Sequence, residues 1–237
     1  MFLDSFHQRQ NDIARISAEQ ACAFAKTVAG DFNPIHDADA KRFCVPGDLM
    51  FALVLQEYGL SENMTFHFEG MLGPDKPIAL PQQTSSEILL KDAESDKVYL
   101  RVERSGESRP CKALAETLSR SYVEFSGHNF PHILVPLMRQ NGVMINPQRP
   151  LVMYEKMSFT LSRLDFTDPV LTLGETTLSV DGKRGDARLH FEIHCKGEHV
   201  GHGQKKLLLS GLRPFCADQI QKMEDDYEAR KQQFVKK

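Results

Sequence analysis

A carboxylate and an imidazole lie five residues apart in the segment Ala29–His36, whose sequence is Ala-Gly-Asp-Phe-Asn-Pro-Ile-His. Such a pair can move protons, because one partner can take a proton from water while the other gives one to carbon, or both can hold one water molecule. Asp31 and His36 are too far apart for one helical turn. A turn at Asn33-Pro34 lets them converge, because proline forces the preceding residue out of the helical region. The segment therefore predicts an acid/base site on a loop.

A helix with clear boundaries precedes this loop. Ser17 and Gln20 have the spacing of a capping box, in which each side chain satisfies a backbone N–H of the first turn. The apolar residues that follow recur at helical spacing and form one stripe. Gly30 stands where the end of a helix favours a positive φ. We therefore predict that the helix ends immediately before Asp31.

A second helix follows the loop and is predicted to be buried. It begins at Pro46-Gly47-Asp48 and ends at Gly59, and the seven residues Leu49–Leu55 are all apolar. A helix that is apolar on every side is buried. The unpaired N–H groups at its start favour developing negative charge, and Gly47 has no side chain to block approach. Gly47 is thus the candidate oxyanion and substrate-binding residue, and Asn33 is the candidate for orienting the loop.

The remainder of the chain predicts strands, and its second half resembles the first. Residues 65–125 show alternating apolar positions with turn residues at 93–96 and 105–108. Met64–Phe68 resembles Met157–Leu161, Glu87–Asp92 resembles Thr177–Asp181, and the alternation at 98–102 resembles that at 189–193. Their common order and nearly constant offset favour an internal duplication.

Antiparallel strands wrapped round one apolar helix form a hotdog fold, so the sequence predicts an α+β double hotdog. We expect a first hotdog over residues 1–125 and a second over residues 126–214. The second begins with Gly127–His132, which resembles a degraded copy of the loop without its aspartate. Residues 215–237 are highly charged with one thin apolar stripe, which predicts a surface helix that docks lightly or contributes to a homodimer contact.

Composition narrows the function classes. The chain has 237 residues and a formal net charge of −3, which gives no general footprint for nucleic acid. No run approaches the about 18 apolar residues of a membrane span, and the first residues lack the features of a signal peptide. The five cysteines are scattered without a CxxC pair, which favours reduced thiols in a cytoplasmic protein over disulfides or zinc. We expect no cofactor and no metal ion.

The segment Gly30–His36 resembles the signature of the MaoC-like, or R-specific, enoyl-CoA hydratase family. That signature is Gly-Asp-x-Asn-Pro-aliphatic-His, and the chain matches every fixed position. The resemblance implies a hotdog fold and the addition of water to trans-2-enoyl-CoA. It also implies that Asp31 and His36 hold the catalytic water, that Asn33 orients the active loop, and that the Gly47 amide polarises the thioester carbonyl.

The chain departs from this family just before the second helix. The segment between His36 and Gly47 is short, and Pro46 stands where the family often has a histidine. Three functions therefore stay open: a hydratase or dehydratase, a thioesterase, and a hotdog protein that binds acyl-CoA without catalysis. The expected partner is an acyl-CoA or acyl-carrier thioester, whose chain length the sequence does not indicate.

Overall fold

The computed structural model describes residues 2–82 and 85–235, which form one main sheet, a small second sheet and six helices. The strands are β1 (Gln8–Gln10), β2 (Ile13–Arg15), β3 (Leu60–Phe68), β4 (Ile78–Ala79), β5 (Glu87–Asp92), β6 (Val98–Arg109), β7 (Val143–Met144), β8 (Leu151–Leu161), β9 (Val170–Asp181), β10 (Arg184–Cys195), β11 (Glu198–Ser210) and β12 (Arg213–Pro214). The helices are α1 (Ala18–Phe24), α2 (Gly47–Tyr58), α3 (Lys112–Gly127), α4 (Asn129–His132), α5 (Leu134–Gln140) and α6 (Ala217–Val235).

The main sheet is antiparallel and continuous through both halves of the chain. Its order is β1-β2-β4-β5-β6-β3-β8-β11-β10-β9, and β7 pairs with β12 in the small sheet. At the centre β3 pairs with β8, with Met64 opposite Phe159 and Phe66 opposite Met157. The two segments that resemble each other most clearly in sequence are therefore neighbours, and they join the two halves.

The strand order confirms the double hotdog and corrects part of the predicted correspondence. Moving outward from the centre, the first half has β3, β6, β5 and β4, and the second has β8, β11, β10 and β9. By position β5 corresponds to β10 and β6 to β11. The sequence comparison had matched β5 with β9 and β6 with β10, and this was wrong. Apolar alternation is the same on every half-buried strand, so it does not distinguish one strand from its neighbour.

The buried helix of the first half is α2, as predicted. Leu49–Leu55 are all at most 2% exposed, and the ring of Phe51 packs on Phe66 with centroids 4.9 Å apart. Gly59 ends the helix at φ +73°. In the second half α5 occupies the equivalent position and packs with the apolar side chains of β10 and β11. Each half therefore has its own central helix.

Helix α3 lies between the two halves. Its Tyr122 ring contacts Phe51 of the first half and Phe191 of the second, with centroids 4.7 and 5.6 Å apart. The helix spans residue 125, so the division of the chain at that residue stays a prediction. Because α3 touches both cores, it fastens the halves together in addition to the central strand pair.

The structure confirms the boundaries around the candidate loop. Ser17 and Gln20 form the capping box, and Gly30 ends the helical segment at φ +64°. Between them the chain is α-helical only to Phe24, and Ala25–Ala29 form a π-helical turn. The wider turn brings Asp31 back over the helix end, where its N–H donates to the Ala25 carbonyl at 2.8 Å.

The predicted turn at residues 105–108 was wrong. These residues continue β6, and the irregularity appears instead as a bulge opposite Ser61 and Asn63. Gly106 takes φ +80°, and the Glu107 N–H donates to the Glu62 carboxylate at 3.0 Å. Turn-forming residues can be absorbed into a bulge when the partner strand supplies hydrogen bonds.

None of the helices in the described ranges is long and apolar enough to cross a membrane.

Candidate functional site

Asp31 and His36 face each other across the loop. The distance from His36 Nε2 to Asp31 Oδ2 is 3.7 Å, and the side chains are 13% and 27% exposed, respectively. This separation is longer than a direct hydrogen bond, and one water molecule beside the line joining the two atoms can reach both of them. The convergence follows from the Asn33-Pro34 turn, because Pro34–His36 form a short 3₁₀ helix that returns the imidazole toward the aspartate.

Each of the two side chains is held in place by a hydrogen bond to the backbone. His36 Nδ1 lies 2.7 Å from the Cys44 carbonyl oxygen, which can only accept, so Nδ1 carries the proton. In the neutral imidazole this leaves the lone pair on Nε2, pointing toward Asp31. Asp31 Oδ1 accepts a hydrogen bond from the Asn33 N–H at 2.8 Å. Oδ2 and Nε2 are therefore two acceptors that face one another.

Asn33 contacts the loop backbone. Its side-chain oxygen accepts a hydrogen bond from the Ile35 N–H at 3.2 Å and so caps the 3₁₀ turn. The backbone N–H of Asn33 also donates the hydrogen bond that holds the Asp31 carboxylate. The residue thus links the position of the carboxylate to that of the turn carrying His36.

Gly47 is the first residue of α2, and aromatic rings cover its Cα. A Cβ placed on Gly47 would lie 3.0 Å from ring atoms of both Phe68 and Tyr154. These two rings pack on each other with centroids 4.2 Å apart. A side chain at this position would therefore require one or both rings to shift by a few tenths of an ångström.

The next residue, Asp48, belongs to a buried polar cluster. Its Oδ2 accepts a hydrogen bond from the Ser126 hydroxyl at 2.6 Å, and the Ser126 Oγ accepts one from the Lys205 ammonium at 2.5 Å. Asp48, Ser126 and Lys205 are 9%, 3% and 5% exposed. We call these three residues the buried relay. It connects α2 of the first half, α3, and β11 of the second half.

The electrostatics of the buried relay reach the loop. Burial raises the pKa of Asp48, while Lys205 and the Ser126 hydrogen bond oppose the rise, and the charge of Asp31 adds to it. Burial also lowers the pKa of Lys205, opposed by Asp48 and then by Asp31. Asp31 therefore lies within electrostatic range of both charged members, and the N-terminus of α2 is close to the loop.

Two tyrosines complete the surroundings of Lys205. Its Nζ lies 4.3 Å from the centre of the Tyr154 ring, a cation–π contact. The Tyr154 hydroxyl is hydrogen-bonded to that of Tyr122, and burial raises the pKa of both well above the usual range. The second oxygen of Asp48, Oδ1, has no hydrogen-bond partner within the described residues.

Helix α6 holds the back of the loop. The Tyr227 hydroxyl donates to the Gly30 carbonyl and accepts from the Phe32 N–H, both at 3.3 Å. Arg230 forms a 2.6 Å ion pair with Asp37, just beyond the loop. The charged C-terminal segment therefore docks against the backbone on either side of Asp31. The sequence pattern predicted a lightly docked surface helix but not the surface that it contacts.

The degraded copy of the loop has a packing role. A Cβ on Gly127 would lie only 1.8 Å from the Ala29 carbonyl oxygen, so the glycine allows α3 to approach the helical end before the loop. Gly127–His132 contains no carboxylate to form an acid/base pair. Among residues 2–82 and 85–235, no group of three or more metal-binding side chains is arranged around a common point.

Sequence reasoning named Asp31, Asn33, His36 and Gly47, but it assigned no role to Asp48, Ser126 or Lys205. The N-cap position is Pro46, and Asp48 points into the core. Asp48 did carry a signal, because a lone carboxylate stands directly before seven apolar residues. Nothing in the sequence around Ser126 or Lys205 indicates that they meet it.

Several solved structures are similar to this chain at low identity. A conserved hot dog protein from Alicyclobacillus acidocaldarius has a TM-score of 0.47 and 9% identity, covering 91% of this chain and 99% of its own. A putative MaoC domain dehydratase from Chloroflexus aurantiacus has a TM-score of 0.45 and 7% identity, covering 86% and 94%. Acyl-CoA thioesterase II TesB2 from Mycobacterium marinum has a TM-score of 0.41 and 11% identity, covering 88% and 96%.

No curated protein matches the sequence. One family model does match, over residues 1–218, which include the loop, the buried relay and both hotdog halves. The chain therefore belongs to the family described as "Protein of unknown function (DUF3581)".

Proposed function

We propose that this protein is a MaoC-like hydratase or dehydratase that adds water to an enoyl thioester, or removes it from a 3-hydroxyacyl thioester, with acyl-CoA or an acyl carrier as the substrate class. The observation that carries the proposal is the 3.7 Å approach of Asp31 Oδ2 and His36 Nε2, two anchored acceptors on a loop that matches the family signature. Such a pair is suited to hold one water molecule by both of its hydrogens.

In the proposed hydration the water oxygen forms a bond to C3 of the enoyl group. His36 Nε2 or Asp31 takes a proton from that water, and the pair delivers a proton to C2, so that no net proton is gained or lost. Positioned proton transfer of this kind contributes about 10²–10⁴ in rate. Asn33 acts through the loop backbone, because it holds both the Asp31 carboxylate and the turn that carries His36.

Negative charge that develops on the thioester oxygen needs a partner, and we assign this role to the Gly47 amide at the start of α2. The adjacent Asp48 carboxylate opposes such charge. Lys205, which is linked to Asp48 through Ser126, offsets it. The positive charge of the buried relay thus makes an oxyanion site at Gly47 compatible with the neighbouring Asp48 carboxylate.

The test is turnover of trans-2-enoyl-CoA substrates of short and medium chain length, followed by loss of enoyl absorbance. We expect Asp31→Asn to lower the rate by about 10²–10⁴. Asp39→Asn serves as the matched control, because Asp39 is an exposed carboxylate on the segment after the loop. A folded wild-type protein without turnover on the whole panel would disprove the hydratase proposal.

A thioesterase is the second candidate. The free Oδ2 of Asp31 favours it, since a carboxylate can direct water at a thioester carbonyl as well as at C3. Release of free thiol from saturated acyl-CoA, with no change in enoyl absorbance, distinguishes this reaction. Acyl-CoA binding that is unaffected by Asp31→Asn, together with no turnover of either kind, identifies a non-catalytic binder instead.

A further inference from the structure

A polar cleft lies beside the loop, on the side of helix α6. This cleft of about 450 Å³ is lined by Phe125, His128, His132, Ile133 and Lys231. We call it the His128 cleft. Its polar groups are two imidazoles and one ammonium, and no carboxylate is among its lining residues.

The polar side chains of the His128 cleft are uncommitted. The rings of His128 and His132 touch edge to face with centroids 6.4 Å apart. The two imidazoles and the Lys231 ammonium have no hydrogen-bond or ion-pair partner within residues 2–82 and 85–235. Three groups able to donate hydrogen bonds therefore open onto one cavity with nothing in the protein to accept from them.

A comparable cleft elsewhere shows what a neutralised site looks like. It measures about 500 Å³ and is lined on one side by α3, with Glu116, Arg120 and Asp168 among its residues. There Arg120 pairs with Glu116 at 2.9 Å, so its positive charge is already balanced. The His128 cleft has positive groups and no such internal partner.

From this geometry we propose that the His128 cleft is a binding site for a phosphoryl group, as inorganic phosphate or as a phosphate monoester. A phosphoryl group presents at least three acceptor oxygens and up to two negative charges, which suit an ammonium and two imidazoles. The cleft is open to solvent at His128, His132 and Lys231, while the partly buried Phe125 and Ile133 provide apolar walls that can receive the organic part of an ester. The cavity is well within the usual size of small-ligand sites, about 300–1,000 Å³.

The position of the cleft gives the ligand a route to the loop. His128 Nε2 lies 3.1 Å from the place that a Cβ on Gly30 would occupy, and Asp31 follows directly. Lys231 is one turn beyond Tyr227, which is bonded to the loop backbone. A phosphoryl group in the cleft would therefore join α6 to the segment that carries Asp31. The proposal concerns binding alone and does not depend on the proposed reaction.

Calorimetric titration with inorganic phosphate and with phenyl phosphate tests the proposal. We expect binding of one or both, and at least about tenfold weaker binding in Lys231→Met and in His128→Gln, because each removes a hydrogen bond to a charged group. Lys222→Met is the matched control, since Lys222 is an exposed lysine on the same helix outside the cleft.

The two ligands separate the sources of the phosphoryl group. Tighter binding of phenyl phosphate indicates an organic ester held by the apolar walls, and equal or tighter binding of inorganic phosphate indicates the free anion. Imidazole nitrogen resonances of His128 and His132 should shift on titration more than those of His190, which lies on β10. Absence of binding by both ligands, or equal affinity in wild type, Lys231→Met and His128→Gln, would overturn the proposal.

Discussion

Removal of one charge from the buried relay should strongly destabilise the protein. Lys205→Met keeps a similar length of side chain but leaves Asp48 as a buried carboxylate, bonded only to Ser126. Breaking a buried pair on one side typically costs about 3–5 kcal/mol, because the remaining charge is uncompensated. For a chain of this size that corresponds to a fall in Tm of roughly 6–20 °C. Asp48→Asn should have a comparable effect by leaving Lys205 alone.

The double variant separates the interaction between the two buried charges, which Ser126 links, from simple packing. In Asp48→Asn with Lys205→Met both charges are absent, and replacing a whole buried pair is often close to neutral. We therefore expect the double variant to be more stable than either single variant. Far-UV circular dichroism in urea measures the midpoints, since the chain has no tryptophan.

Lys206→Met is the matched control for this series. Lys206 is the next residue on β11, but it lies at the surface, where it pairs with Glu155 at 2.8 Å and Asp186 at 3.1 Å. Surface pairs contribute about 0–1 kcal/mol. Additive single effects in the double variant, or a Lys205→Met shift no larger than that of Lys206→Met, would refute a coupled buried pair.

Two further predictions concern the surroundings of the loop. Gly127→Ala should lower the unfolding free energy by about 3 kcal/mol, because its methyl group would overlap the Ala29 carbonyl oxygen. Gly73→Ala is the control and should change the unfolding free energy little, because nothing lies near its Cβ position. Denaturant unfolding of both variants measures the difference, and equal midpoints would contradict the prediction. Burial raises the pKa of Tyr227 to about 12, so the folded protein keeps the hydroxyl proton, and the hydrogen bond that it donates to the Gly30 carbonyl, at a pH where the unfolded chain already ionises. This contribution to stability is complete below pH 10 and is lost as the pH rises from 10 to 12. The stability advantage over Tyr227→Phe, about 1 kcal/mol for a partly solvated group, should therefore disappear over that interval in thermal melts at each pH. An advantage that persists at pH 12 would argue against this role.

Much of the fold could be predicted because its signals are local. The capping box at Ser17, the left-handed Gly30 and the apolar run of α2 each depend on residues within a turn or two of one another. The approach of Asp31 to His36 is local in the same sense, since one Asn-Pro turn places both side chains. Their assignment as catalytic residues stays a proposal.

The errors came from patterns that several structures share. Ser105–Ser108 has turn composition, but the same residues form a bulge when β3 lies alongside and offers a carboxylate. The correspondence of strands was displaced by one because each half-buried strand alternates in the same way. In both cases the partner strand decided the outcome, and the partner is remote in sequence.

By itself the sequence determined the loop with its acid/base pair, the helix that ends before it and the buried helix that follows, because short-range sterics and hydrogen bonds dictate each of them. Only the tertiary structure decided what surrounds the pair. Asp48, Ser126 and Lys205 are remote in sequence and meet because α2, α3 and β11 pack at the junction of the two halves. The same is true of α6, whose Tyr227 reaches the loop from the other end of the chain. Burial made these contacts energetically important, and burial is a property of the whole fold.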